Sequence, residues 1–187
     1  MKIVRLQSET GVLLSMLLTL SLCFISKTSQ AEDLIAETRI KVNVFTDACN
    51  IKPGDEAIQL DFGTIVKKYL YLHQTTPSKP FSIHLIKCKP DLAKTVSVTF
   101  SGLENQALTG KLAFNPGSLA RGAAIGLTTP DGQPVMINST KHTYPLSSGA
   151  MQLDYLAYIQ GEPQALSAKK IIAGTFSASA IFSLSYQ

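Results

Sequence analysis

The last fourteen residues constrain this chain more than any other stretch. From Gly174 onward, Phe176, Ala178, Ala180, Phe182, Leu184 and Tyr186 occupy every second position, and the intervening residues up to Ser185 are serine or threonine except Ile181. A period of two belongs to a strand with one buried face. Such a strand needs hydrogen-bond partners on both edges, or a row of backbone groups stays unpaired. No later segment of the sequence offers a second partner, so one edge is expected to be covered from elsewhere.

Shorter alternating runs precede it. Strands are expected over 40–48, 80–88, 95–101, 123–128, 134–138, 152–159 and 174–186, with Leu153, Tyr155, Ala157 and Ile159 facing inward on the sixth. Thr129-Pro130-Asp131-Gly132-Gln133 joins two apolar runs and contains Asp-Gly, a turn signal with a steric basis. No segment sustains helical periodicity over three turns, although residues 162–167 suit one short turn. Many short strands with turn residues between them point to an all-β sandwich.

The N-terminus reads as an export signal. Lys2 and Arg5 precede an apolar run from Gly11 to Ile25, and Ser29-Gln30-Ala31 fits a small-x-small cleavage site. The run is short for a membrane span, and Leu22 stands where a lipoprotein would carry a small residue before Cys23. Cleavage after Ala31 leaves 156 residues beginning at Glu32, the size of one domain, and lowers the formal charge from +4 to +2. So mild a balance gives no footing for nucleic-acid binding. Two cysteines remain, Cys49 and Cys88. Export to an oxidising compartment makes them a disulfide candidate rather than a metal site, with a pair of free thiols as the alternative.

Taken together, these residues resemble the chaperone–usher fimbrial subunits (pilins of the type 1 and P pilus kind). The likeness rests on Gly174, Phe176, Ala178, Ala180, Phe182, Leu184 and Tyr186, with the penultimate Tyr at its end, and on Phe81-x-Ile83-x-Leu85-x-x-Cys88. Ala124-Ile125-Gly126-Leu127 adds to it, and a first cysteine just after the opening strand matches Cys49. The resemblance implies an incomplete immunoglobulin-like sandwich that lacks its own seventh strand. It implies a Cys49–Cys88 disulfide, and a periplasmic chaperone whose strand lies beside the C-terminal one, with the Gln187 carboxylate docking on basic chaperone residues. An outer-membrane usher and neighbouring fimbrial subunits are the further partners, the next subunit's N-terminal extension replacing the chaperone strand. This is β-strand addition, for which chaperone–pilin complementation is a known example. About four donor side chains entering an apolar groove would contribute about 6–12 kcal/mol as an upper bound, comparable with the net stability of a domain.

On this reading residues 1–31 are a signal peptide, 32–44 a donor extension overlapping the first strand, and 45–187 the pilin domain. Leu34, Ala36, Thr38, Ile40, Val42 and Val44 alternate as a donor strand should. Val42 departs from the pattern, because the family carries Gly there; residues 40–44 read equally as the first core strand. The charge of +2 is more basic than expected of a major pilin and points to a minor subunit, an adaptor or terminator included. The expected location is the periplasm, then a fimbrium on the surface of a Gram-negative bacterium, supporting cell adhesion.

Little in the chain suggests chemistry, so no enzyme activity and no cofactor are expected. His73, His84 and His142 lack ligand spacing, and His84, between Ile83 and Leu85, is expected to point away from the core as a solvated side chain. The serines have no His/Asp constellation around them, no phosphate loop is present, and Asn138-Ser139-Thr140 is a chance sequon. Lys67, Lys68, Tyr69 and Tyr71 are expected to form a solvated loop with two anchoring rings. A single-domain tip adhesin binding host glycan is the rival class, although two-domain tip adhesins are about twice this length. A hydrolase lacks a nucleophile, and a periplasmic chaperone lacks room for its second domain.

Overall fold

Period-two alternation resolves into two antiparallel sheets packed face to face. The computed structural model describes residues 47–139 and 141–187. Its strands are β1 (Asn50–Ile51), β2 (Lys79–Cys88), β3 (Thr95–Gly102), β4 (Ala123–Thr128), β5 (Pro134–Val135), β6 (Lys141–Pro145), β7 (Gly149–Gly161) and β8 (Ala180–Tyr186). Two short helices, α1 (Lys67–His73) and α2 (Pro163–Ser167), and a 3-10 turn at Asp55–Ala57 complete the described elements. One sheet has the order β1-β2-β7-β4-β5 and the other β6-β3-β8. The architecture is that of the immunoglobulin-like sandwich.

The inner faces follow the alternation in the sequence. Leu153, Tyr155, Ala157 and Ile159 on β7 are all at most 2 % exposed, and Ile83 and Leu85 on β2 are fully buried. Opposite them stand Val96, Val98 and Phe100 from β3. Tyr155 occupies the centre: its ring stacks on Phe81 at 5.6 Å and meets Phe100 edge-on at 4.9 Å. Such aromatic contacts add to burial when rings are offset or edge-on.

One deviation from strict alternation has a clear purpose. Leu85 pairs with Met151 and Cys88 with Gly149, so β2 spends one residue more than β7 between the two pairs. Lys87 takes a positive φ of 54° in this bulge. An extra residue reverses which face the next side chain meets, and Cys88 therefore turns inward. There it bonds Cys49 with the two Cα atoms 4.1 Å apart. The double spacer before Cys88 in the sequence is the trace of that bulge.

Several expectations need correction. The strand anticipated over 134–138 is limited to β5, although its turn is as expected: Gly132 N–H donates to the Thr129 carbonyl, and Thr129 N–H to that of Gln133, each at 3.0 Å. The last strand is regular only over β8; residues 174–179 bond instead to the loop at 115–120, with Thr175 and Ser177 carbonyls accepting from Leu119, Ala120 and Asn115. Strand β6 was not anticipated, because only His142 and Tyr144 mark its inward face. The stretch at 67–71 is no loop but part of α1: Leu70 is buried, and Tyr71 is anchored by a hydrogen bond its hydroxyl accepts from Ile171 N–H at 3.1 Å. Tyr69 is 40 % exposed, its ring 4.3 Å from that of His73, and of the two rings Tyr71 is the one packed against the core. Of the opening strand expected over 40–48, all but Asp47 and Ala48 lies outside the described residues, and those two precede β1.

Candidate functional site: an apolar groove beside the last strand

Among the described residues, strand β8 has a neighbour on one edge only. It pairs with β3 from Val96–Tyr186 to Gly102–Ala180, and among the described residues no strand pairs with its other edge. Beside that edge runs an open groove of about 1170 Å³. One wall is the segment 174–182, and the opposite wall is the irregular stretch 56–65, which leaves β1 and leads into α1. The floor is apolar: Phe100, Leu112, Phe114, Ile125, Leu127 and Ile159 contribute to it. Across the groove the rings of Phe62 and Phe176 face one another with centroids 6.4 Å apart.

Each residue expected at this site has a definite place. Phe176, Ala178, Phe182, Leu184 and Tyr186 are half-buried and pack against the core, while Ala180 is more exposed. Phe176 stacks on Phe114 with ring centroids 4.7 Å apart. Ile181, between the serines of the outer face, is 70 % exposed. Gly174 sits where a side chain would not fit, since a Cβ there would come within 2.6 Å of Leu119 Cβ and 2.8 Å of the Ala120 nitrogen. Tyr186 reaches the disulfide region, its hydroxyl donating to the Cys49 carbonyl at 3.4 Å. Burial, then Asp47, raise the Tyr186 pKa above the ordinary tyrosine value. The Gln187 main-chain oxygen is already engaged, accepting from the N–H groups of Lys94 and Thr95 at 2.6 and 2.8 Å. The donor residues Leu34, Ala36, Thr38, Ile40, Val42 and Val44 lie outside the described residues.

The histidines stay apart. His84 does point away from the core, yet it is not simply solvated: its Nδ1 lies 2.7 Å from Asp55 Oδ2. On the neighbouring strand, Asp154 accepts from Ser82 Oγ at 2.6 Å and Gln152 Nε2 at 2.7 Å, and the Ser82 bond leads in holding this carboxyl below its ordinary pKa. Ser82 therefore donates to a carboxylate and has no histidine base on it. Among the described residues no three His, Cys, Asp or Glu side chains form a group able to hold a metal ion. Sequence reasoning missed the wall at 56–65; its only signal was the loose spacing of Ile58, Leu60, Phe62 and Ile65.

Comparison with known proteins agrees with this geometry. Residues 38–187 match the family model described as "Fimbrial protein". PmfF of Proteus mirabilis (strain HI4320), a protein named as a minor fimbrial subunit, is 30% identical over 163 residues, covering 86% of this chain and 90% of that one. The fimbrial adapter PapK of Escherichia coli is 25% identical over 165 residues, covering 85% and 92%. Among solved structures, the P pilus rod subunit PapA shares the fold with a TM-score of 0.65 at 24% identity, over 75% of this chain and 100% of that one. Sandwich, disulfide, half-paired last strand and family match lead to one conclusion: this chain belongs to the fimbrial protein family, as a structural subunit of the chaperone–usher kind.

Proposed function

We propose that this chain is a minor or adaptor subunit of a surface fimbrium, a non-catalytic building block joined to its neighbours by strand donation. The observation that carries the reading is the edge of β8 that no strand pairs with among the described residues, alongside an apolar groove. A strand laid there gains a ladder of backbone hydrogen bonds from the open edge and buries alternate side chains against the floor. Residues 1–31 direct the chain to the periplasm, where a chaperone strand occupies the groove beside Gly174, Phe176, Ala178, Ala180, Phe182, Leu184, Tyr186 and Gln187. At the outer-membrane usher the N-terminal extension of a neighbouring subunit takes its place, and residues 34–44 of this chain serve the next groove in turn. Relatives of equal identity include both a minor subunit and a major fimbria protein, and it is the mild positive charge that favours a minor role over the main rod.

Co-purification of the exported subunit with its chaperone tests the reading. Deleting residues 185–187 removes the pairs of Ser185 with Ser97 and of Tyr186 with Val96, and also the bonds of Gln187. The truncated subunit should lose its chaperone and be degraded, whereas Tyr186→Ala, which keeps the backbone ladder, should weaken the complex less. A truncated chain that accumulates as a protease-resistant monomer would mean that the sandwich is self-sufficient and takes no donated strand.

A further inference from the structure

The first strand ends early because a side chain replaces it. Lys52 N–H still donates to the His84 carbonyl at 2.9 Å, as a continuing β1 would. The His84 N–H, however, finds no β1 carbonyl; it donates to Asp55 Oδ2 at 2.7 Å. Asp55 is brought there by a tight turn in which its own N–H donates to the Lys52 carbonyl at 3.0 Å. The carboxylate thus satisfies the edge of β2 and releases the chain, which leaves the sheet and becomes the groove wall at 56–65. That wall has no strand partner of its own among the described residues. Ile58, Leu60, Phe62 and Ile65 pack it on the core, and Lys79 Nζ donates to the Asp61 carbonyl.

The same carboxylate oxygen also meets the His84 ring, so backbone and side chain of one residue are clasped together. We propose that Asp55 is a positioning residue that fixes the groove wall for the incoming strand, and that its contact with the His84 ring makes strand capture tighter when that ring is protonated. The inference rests on the strand-donation reading and adds to it a control by pH. A neutral ring gives the carboxylate one ordinary hydrogen bond; an imidazolium adds charge, and charge-assisted bonds are the stronger class. Asp154 on β7 lies near the same ring, and the charge of Lys52 in the turn already balances part of the Asp55 charge. The remaining neighbours, Ser82 and Gln152, are uncharged, and Glu56 is turned to the Gly54 N–H. Asp55 stays ionised in mild acid, since first the His84 N–H bond and then the ring hold its carboxyl below the usual range.

Capture of a fluorescent synthetic peptide copying residues 32–44 by the full chain, at about pH 5.5 and about pH 8, tests this across the range where histidine changes charge. The parent protein should hold the peptide about two- to fivefold more tightly in acid, the size expected of a half-exposed ion pair. In His84→Gln the backbone N–H and the clasp to Asp55 survive, and affinity should be the same at both pH values. Asp55→Asn keeps an acceptor for that N–H without the charge and should also be pH-independent. Equal affinity at both pH values in the parent, or an undiminished acid preference in His84→Gln, would overturn the inference while leaving strand donation intact. Failure of the parent to capture the peptide at either pH would fail both.

Discussion

Phe62 and Phe176 face one another across the groove with ring centroids 6.4 Å apart and planes tilted by 46°. The two rings belong to different walls, yet only Phe176 also stacks on a floor residue, Phe114, at 4.7 Å. Phe176 is therefore tied to both the opposite wall and the floor. Phe176→Ala should cost about 3 kcal/mol of stability, the low end for loss of a packed aromatic ring, and should weaken peptide capture as well. Phe62→Ala should lower capture with a smaller stability loss. Urea unfolding combined with peptide titration separates the two effects.

Two glycines make predictions of different size. At Gly174 an added Cβ meets Leu119 Cβ at 2.6 Å and backbone at Ala120. The backbone must move, so Gly174→Ala should destabilise by about 1–3 kcal/mol and disturb the start of the last segment. At Gly126 the obstacle is the far end of the Tyr158 ring, 2.4 Å from the added atom, which can rotate aside. Gly126→Ala should cost less, and should displace Tyr158 from Lys111, whose Nζ now lies 5.7 Å from the ring centroid. Thermal melts of the two variants should rank in that order.

The disulfide closes a sequence separation of 39 residues. A loop of that size is worth about 4 kcal/mol in the chain-entropy model. A Cys49→Ser, Cys88→Ser double variant should lose stability on that scale, read as a lower urea midpoint under oxidising conditions. Reductant should lower the parent's midpoint and leave the variant's unchanged.

Alkaline stability should depend on Tyr155. Burial pushes its hydroxyl well above the ordinary tyrosine pKa, and the nearby Tyr144 hydroxyl, 3.2 Å away, adds to the effect. Above about pH 10 the unfolded chain releases this proton while the folded chain keeps it, so stability falls as pH rises. Below that pH the contribution is fully present. Tyr186 acts in the same direction. Unfolding free energies at about pH 9 and about pH 11 should diverge more in the parent than in Tyr155→Phe. An equal loss in the two proteins would show that Tyr155 ionises without unfolding.

Which residues face the core was legible in the sequence wherever a strand runs straight. Burial at Leu153, Tyr155, Ala157 and Ile159 follows from alternation alone, because the pleat sends successive side chains to opposite faces whatever the neighbours are. The double spacer before Cys88 likewise carried the bulge that turns this cysteine inward. Tertiary structure decided the rest. The seven residues of α1 are too few to hold a helix unaided, and it is the buried Leu70 and the bond from Ile171 to Tyr71 that secure it. Residues 174–179 continue the alternation of β8 but turn their hydrogen bonds to the loop at 115–120, a partner that no local pattern announces. The early end of β1 depends on Asp55 reaching the His84 N–H across 29 residues of sequence. Periodicity records how a segment meets a surface; which distant group satisfies its backbone is settled only when the chain has folded.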